Sequence, residues 1–213
     1  MMISKIVKEN DNYIVVHKPA GIATQTARLG QKDLMSEIKN HVAESTGMKN
    51  PYLAVINRLD QPVEGLVLFA KNEKSAANLS RLLNEGKIKK FYHASVYGHM
   101  NSKEGRLEDY LVKDGKSNLS KVSDRNDKQA KKAVLEYKVV DRNEETDTLD
   151  IKLITGRHHQ IRVQLSHAGC PILGDTKYAS AESAEYSRTN GIGNICLKAY
   201  KLILENETIQ IDL

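Results

Sequence analysis

The chain has 213 residues, 40% of them hydrophobic and 28% charged, with lysine and arginine exceeding aspartate and glutamate by 32 to 27. That length supports one substantial domain or two small ones, and the composition is that of a globular protein. No apolar run reaches the length of a membrane span and the amino end alternates polar with apolar residues, so the expected compartment is the cytoplasm. The net charge of +5 permits a polyanionic partner without requiring one.

In chain order, Ser4 to Glu9 and Tyr13 to His17 predict two strands split by an Asn-Asp-Asn turn. Lys18-Pro19-Ala20-Gly21 follows as a rigid turn expected to expose its lysine. Leu34, Ile38 and Val42 recur every four positions, so a helix is expected from Asp33 to Ser45, capped by Asp33 and stopped by Gly47. Two apolar runs, Leu53 to Ile56 and Leu66 to Ala70, read as buried strands around Asn57-Arg58-Leu59-Asp60-Gln61-Pro62-Val63-Glu64-Gly65. Taken alone, Arg58 and Asp60 are turn residues between two strands.

A second helix is predicted between Asn72 and Glu85, with Leu79 and Leu82 on its buried side. Ile88 to Tyr97 then alternates as a strand, Tyr92, Ala94 and Val96 facing one side. Short strands are expected at Arg106 to Val112 and near Lys121 to Ser123, then a basic loop to Gln129. Ala133 to Val140 and Leu149 to Ile154 form a hairpin across an acidic turn. His158 to Ala168 reads as a helix with Ile161, Leu165 and Ala168 toward the core. Tyr178 to Asn194 is expected as loop with a short helical piece, and Ile195 to Leu204 and Thr208 to Ile211 as strands turning at Glu205-Asn206-Glu207. Strands in runs rather than strict alternation with helices predict an α+β domain. No internal repeat or linker is present.

Several chemistries lose support. Cys170 and Cys196 have no metal-binding spacing and read as reduced thiols in or near the core. His158 and His159 point to different sides of a helix beside Arg157 and Arg162, which argues against a metal. There is no Gly-x-Ser-x-Gly elbow and no glycine-rich phosphate loop. The run Thr155-Gly156-Arg157-His158-His159-Gln160-Ile161-Arg162-Val163, at the expected start of a helix, is a plausible place for an anion.

Asn57-Arg58-Leu59-Asp60 with Gly65-Leu66, Lys90-Phe91-Tyr92-His93-Ala94, Thr155 to Val163 and Pro171-Ile172-Leu173-Gly174-Asp175 resemble the motifs of pseudouridine synthases of the RluA type. Lys18-Pro19-Ala20-Gly21 resembles that family's early turn, and all the matches keep the family's order. The resemblance implies one catalytic domain over residues 1–213, with a mixed, mainly antiparallel sheet, flanking helices and a central basic cleft. It leaves no room for a separate amino-terminal RNA-binding domain. Asp60 would attack the target uridine at its ribose or its base, Tyr92 would stack on the base, and Arg162 would pair with Asp60. Arg58 would fill the space left by the flipped nucleotide, and Lys18, Lys90, Arg157, His159 and Gln160 would contact RNA.

The implied reaction needs no cofactor and no metal. The implied partner is structured ribosomal or transfer RNA, not DNA or a membrane, and the chain is expected to be a monomer. Relatives usually carry histidine where Asn57 stands, an Asp-x-x-Ser-like run where Gln61 to Glu64 stands, and a small hydroxyl residue where His158 stands. Those departures motivate a second expectation, a non-catalytic RNA-binding protein that keeps the fold.

Overall fold

The computed structural model describes residues 4–26, 30–205 and 207–213. The chain divides into two compact units, unit 1 from residues 1–89 and 199–213, and unit 2 from residues 90–198. The expected turn at Asn206 lies outside the described residues. Among those residues no helix is long and apolar enough to cross a membrane.

In unit 1, β1 (Lys5–Glu9), β2 (Tyr13–Lys18) and β4 (Glu64–Ala70) lie side by side, with the two-residue β3 (Ala54–Val55) on β4. β10 (Leu197–Leu204) continues this sheet next to β4, and β11 (Glu207–Gln210) pairs with β10. From Gly65 to Ala70 every residue of β4 is buried, which is why its sequence is a continuous apolar run rather than an alternating one. Gly65 has φ of +130°, and a Cβ there would collide with the backbone of Ala199. Only glycine lets β10 approach this closely.

α1 (Leu34–Thr46) is capped by Asp33, whose carboxylate accepts from Ser36 N, and ends at Gly47 with φ of 71°. α2 (Glu73–Asn84) is capped by Asn72 in the same way through Ser75 N. Its Leu79 and Leu82 join Val15, Leu66, Leu68, Leu202 and Ile209 in one apolar cluster. Both helices match the sequence expectation because capping residue and apolar stripe agree.

Unit 2 is built on the strand order β5 (Ile88–Tyr97), β9 (Thr146–Leu153), β8 (Lys131–Arg142), β6 (Glu104–Asp114) and β7 (Leu119–Val122). These pairings are antiparallel, so the chain is an α+β fold with a mainly antiparallel sheet. Strands β6, β8 and β9 are longer than their apolar cores predicted, because their ends are polar and pair across exposed edges. α3 (Gln160–His167) lays Val163 against Leu111 and Ala133. α4 (Ala181–Thr189), the short helical piece expected in the tail, opens with a Ser180–Ser183 capping box.

Two expectations for α3 are corrected. The helix begins at Gln160 rather than His158, since His159 sits in the left-handed region at φ of 53° and cannot continue a right-handed helix. Gln160 to Leu165 are all buried while Ala168 is exposed, so the helix is covered around its circumference and has no single core stripe. Cys170 and Cys196 are both free thiols.

The hairpin turn between β8 and β9 is fastened by Asp147, whose side chain is fully buried. Burial alone would raise its pKa, but two hydrogen bonds of 2.7 Å from Arg142, one of 2.8 Å from Met100 N and contact with His99 bring it down to about 2. A carboxyl held below its unfolded value stabilises the fold above that value and loses this contribution as pH falls through the folded one. Asp147→Asn is therefore expected to cost about 2 kcal/mol in urea unfolding at pH 7, from a shift of roughly two units. The gap to wild type should close as pH falls from about 4 to 2; a gap independent of pH would contradict the assignment.

Candidate active site

The loop between β3 and β4 is built from side chain to backbone bonds. Asn57 behaves as an extension of β3: its amide donates to Leu66 O at 3.2 Å and accepts from Leu68 N at 2.8 Å. The asparagine that departs from the usual family residue thus has a definite task, pairing with β4. Thr24 Oγ1 then grips the next buried backbone, donating to Leu59 O at 2.9 Å and accepting from Leu59 N at 3.2 Å. Leu59 is buried between an exposed Arg58 and a half-buried Asp60. Arg58 forms no ion pair among the described residues.

Asp60 starts a tight turn in which Val63 N donates to its carbonyl at 3.1 Å. Gln61 clasps Gly21 in both directions: Gly21 N donates to Gln61 O at 2.9 Å, and Gln61 Nε2 donates to Gly21 O at 3.0 Å. The second departure from the family pattern is therefore also an anchoring contact.

Lys18 was expected to be exposed and is instead completely buried. Its ammonium donates to Ile22 O at 2.8 Å, Pro19 O at 3.0 Å and Gln61 O at 3.1 Å. The Lys-Pro-Ala-Gly turn curls its own carbonyls around the lysine and draws in the Asp60 turn as a third acceptor. Burial pushes the Lys18 pKa down to about 8, with the Asp60 and Glu64 carboxylates opposing that fall.

In unit 2, Tyr92 lies on the buried face of β5 with Ala94 and Val96, as the alternation predicted, and Lys90, expected to contact RNA, is buried on the same face. The Lys90 ammonium lies over Gly156, where a Cβ would come within 3.3 Å of it, and burial lowers its pKa. Arg157, His159, Gln160 and Arg162 meet around the start of α3. Gln160 is a clamp: its carbonyl oxygen accepts from Thr155 Oγ1 at 2.7 Å and Arg157 N at 2.9 Å, and its amide donates to Val134 O at 3.0 Å and Gln164 Oε1 at 2.9 Å.

Arg162, 3% exposed, makes two 2.7 Å bonds to the carboxylate of Asp175. Burial would raise the Asp175 pKa, but the guanidinium holds it below the ordinary carboxylate range. The Arg162 guanidinium also lies 5.2 Å over the Tyr178 ring. The Tyr178 hydroxyl accepts from Ser120 N at 2.8 Å and lies 2.7 Å from His159 Nδ1, so it bridges the two residues. Gly174, with φ of 71°, permits the Asp175 loop to pass the Asn194 backbone, and its N–H donates to Ser187 Oγ at 3.0 Å. Thr24, Asp175, Tyr178 and Ser187 carry these functions without having been singled out. Asp175 and Tyr178 lay in or next to a quoted motif, while a lone threonine and a helix serine give no local signal.

The sequence profile described as RNA pseudouridylate synthase matches residues 12–167. The chain is 33% identical over 186 residues to the ribosomal large subunit pseudouridine synthase C of Rickettsia bellii, covering 86% of this chain and 59% of that protein. It is 31% identical over 187 residues to the dual-specificity RNA pseudouridine synthase RluA of Vibrio parahaemolyticus, covering 85% and 72%. The solved human RNA pseudouridylate synthase domain containing 4 shares the fold, with a TM-score of 0.81 at 23% identity over 98% of this chain and 88% of that one. The chain belongs to the pseudouridine synthase family, in its RluA-type branch. It spans about three-fifths of the length of the rickettsial relatives that it matches.

Replacing Lys18 by methionine removes three charge-assisted hydrogen bonds and frees carbonyls in both turns. Amide exchange at Gly21 and Val63 is expected to speed up by at least about tenfold, the equivalent of losing one charged hydrogen bond. Unchanged exchange at these amides would show that the lysine does not hold the Asp60 turn.

Proposed function

We propose that the protein isomerises uridine to pseudouridine in structured RNA, with Asp60 as the nucleophile. The observation that carries this reading is a half-buried carboxylate on a loop whose backbone is held through Thr24, Asn57 and Gln61, beside an exposed arginine with no ion pair among the described residues. Family membership supplies the chemistry, and the fixed loop supplies the preorganisation that a nucleophile needs.

The Asp60 carboxylate attacks the ribose or the uracil, and the bond between N1 and C1′ breaks. The base turns and rejoins C1′ through C5, the bond to the Asp60 carboxylate breaks, and C5 loses its proton as N1 gains one, so Asp60 is regenerated and the product is an isomer of the substrate. Lifting a base from its stack costs a few kcal/mol, and Arg58 offsets part of that by occupying the gap. Tyr92 gives the base an aromatic face, while Arg162 supports the ionised carboxylate. Exposed Arg58 and Arg157 make the outer RNA contacts, whereas buried Lys18, His159 and Gln160 act by holding loops in place. The names of the relatives point to ribosomal and other RNA, and we assign ribosomal or transfer RNA stem-loops as substrates on that basis.

Release of tritium from C5-labelled uridine in RNA measures the exchange step directly. Asp60→Asn is expected to reduce it by at least about a thousandfold, on the scale of removing a nucleophile. Equal release by both proteins would overturn the mechanism. RNA binding with no release from wild type would favour a non-catalytic RNA-binding protein.

A further inference from the structure

We propose that a basic pocket in unit 2 is a separate nucleotide subsite, taking the phosphodiester and base of another residue of the RNA substrate. The inference rests on the RNA reading above and names where, outside the Asp60 loop, the same substrate is held.

The pocket has a volume of about 320 Å³, within the size range of small-ligand sites. Its floor follows from strand register. Leu111 and Lys113 alternate onto one face of β6, Lys131 faces Leu111 from β8, and Ser120 faces Lys113 from β7. The residues of the turn before α3, including Arg157 and His158, close the other side.

Charge pairing separates this face from its reverse. On the opposite side of the sheet the cations are matched: Lys132 of β8 reaches Glu108 of β6 at 2.5 Å, and Lys152 of the neighbouring β9 reaches Glu136 of β8 at 2.9 Å. Among the described residues Lys113 and Lys131 have no ion pair, and no carboxylate lines the pocket. Three cations thus face one cavity with no anion of the protein between them.

The walls are held in place. Arg157 donates from Nε to Lys132 O at 2.9 Å, which fixes the guanidinium and leaves its terminal amino groups for an anion. His158 bonds through Nδ1 to Ser120 Oγ at 2.9 Å and stacks on His159 with ring centroids 3.7 Å apart. A free phosphate would use the cations alone. The half-buried His158 ring adds an aromatic surface for a sugar or base, so the lining matches a whole nucleotide better than a simple anion.

Binding of a fluorescently labelled uridine-containing stem-loop RNA, followed by anisotropy across a salt series, tests the subsite. Lys113→Ala with Lys131→Ala is expected to weaken binding about tenfold and to flatten the slope of log affinity against log salt by about 1.4 to 1.8, the counterion release of two phosphate contacts. Lys49→Ala with Lys74→Ala, two exposed lysines of unit 1, removes the same charge and is expected to change affinity less than about twofold. Equal losses from the two pairs, or no loss from the pocket pair while wild type binds, would overturn the subsite. Failure of wild type to bind the stem-loop would instead overturn the RNA reading itself. Uridine monophosphate is expected to displace the RNA at lower concentration than inorganic phosphate; equal competition would reduce the pocket to an anion site and contradict the nucleotide assignment.

Discussion

A single buried ammonium ties two turns of unit 1 together. Lys18 donates to carbonyls of its own turn and to Gln61 O, so the position of the Asp60 loop depends on where the Lys-Pro-Ala-Gly turn lies. Burying a lysine is costly, and the lowering of its pKa to about 8 records that cost. Three acceptors and the nearby carboxylates of Asp60 and Glu64 offset it. Thr24 and Gln61 repeat the connection through neutral hydrogen bonds, which leaves the loop little freedom to move relative to the segment from Lys18 to Thr24.

Unit 2 applies the same logic with a different pair. The Arg162 guanidinium is buried against Asp175, and the Asp175 loop is fixed in turn by Gly174 and Ser187. Removing either charge would strand the other in the interior, so the pair constrains the loop more than it stabilises the fold. Tyr178 extends the constraint to His159 and Ser120, and Ser120 also bonds His158 in the wall of the basic pocket. Orientation of α3 and shape of the pocket therefore have a common origin.

Much of this was legible in the sequence where local and tertiary signals agree. Asp33 and Asn72 cap the helices that their spacing announced, and β5 alternates over its whole length. What the pattern could not show was side-chain direction. Lys18-Pro19-Ala20-Gly21 specifies a turn, but whether the lysine points out or curls into the carbonyls around it depends on the Asp60 loop, more than forty residues away. His159 looked helical because apolar periodicity carries no information about a left-handed φ. Thr24 and Ser187 were silent because a hydroxyl that grips a distant backbone has no periodicity at all. The Asp60 loop itself stood out only through its company of ordered motifs, and the residues that depart from the family pattern there, Asn57 and Gln61, prove to be anchors.

The central claim is that this chain makes pseudouridine and that Asp60 does the chemistry. Mapping pseudouridines at single-nucleotide resolution in total RNA, from cells with the gene intact, deleted, or carrying Asp60→Asn, tests it most directly. The account predicts that one or more defined sites vanish on deletion, return with the wild-type gene and stay absent with Asp60→Asn. Sites that never depend on the gene, or that the Asp60→Asn protein restores in full, would contradict it.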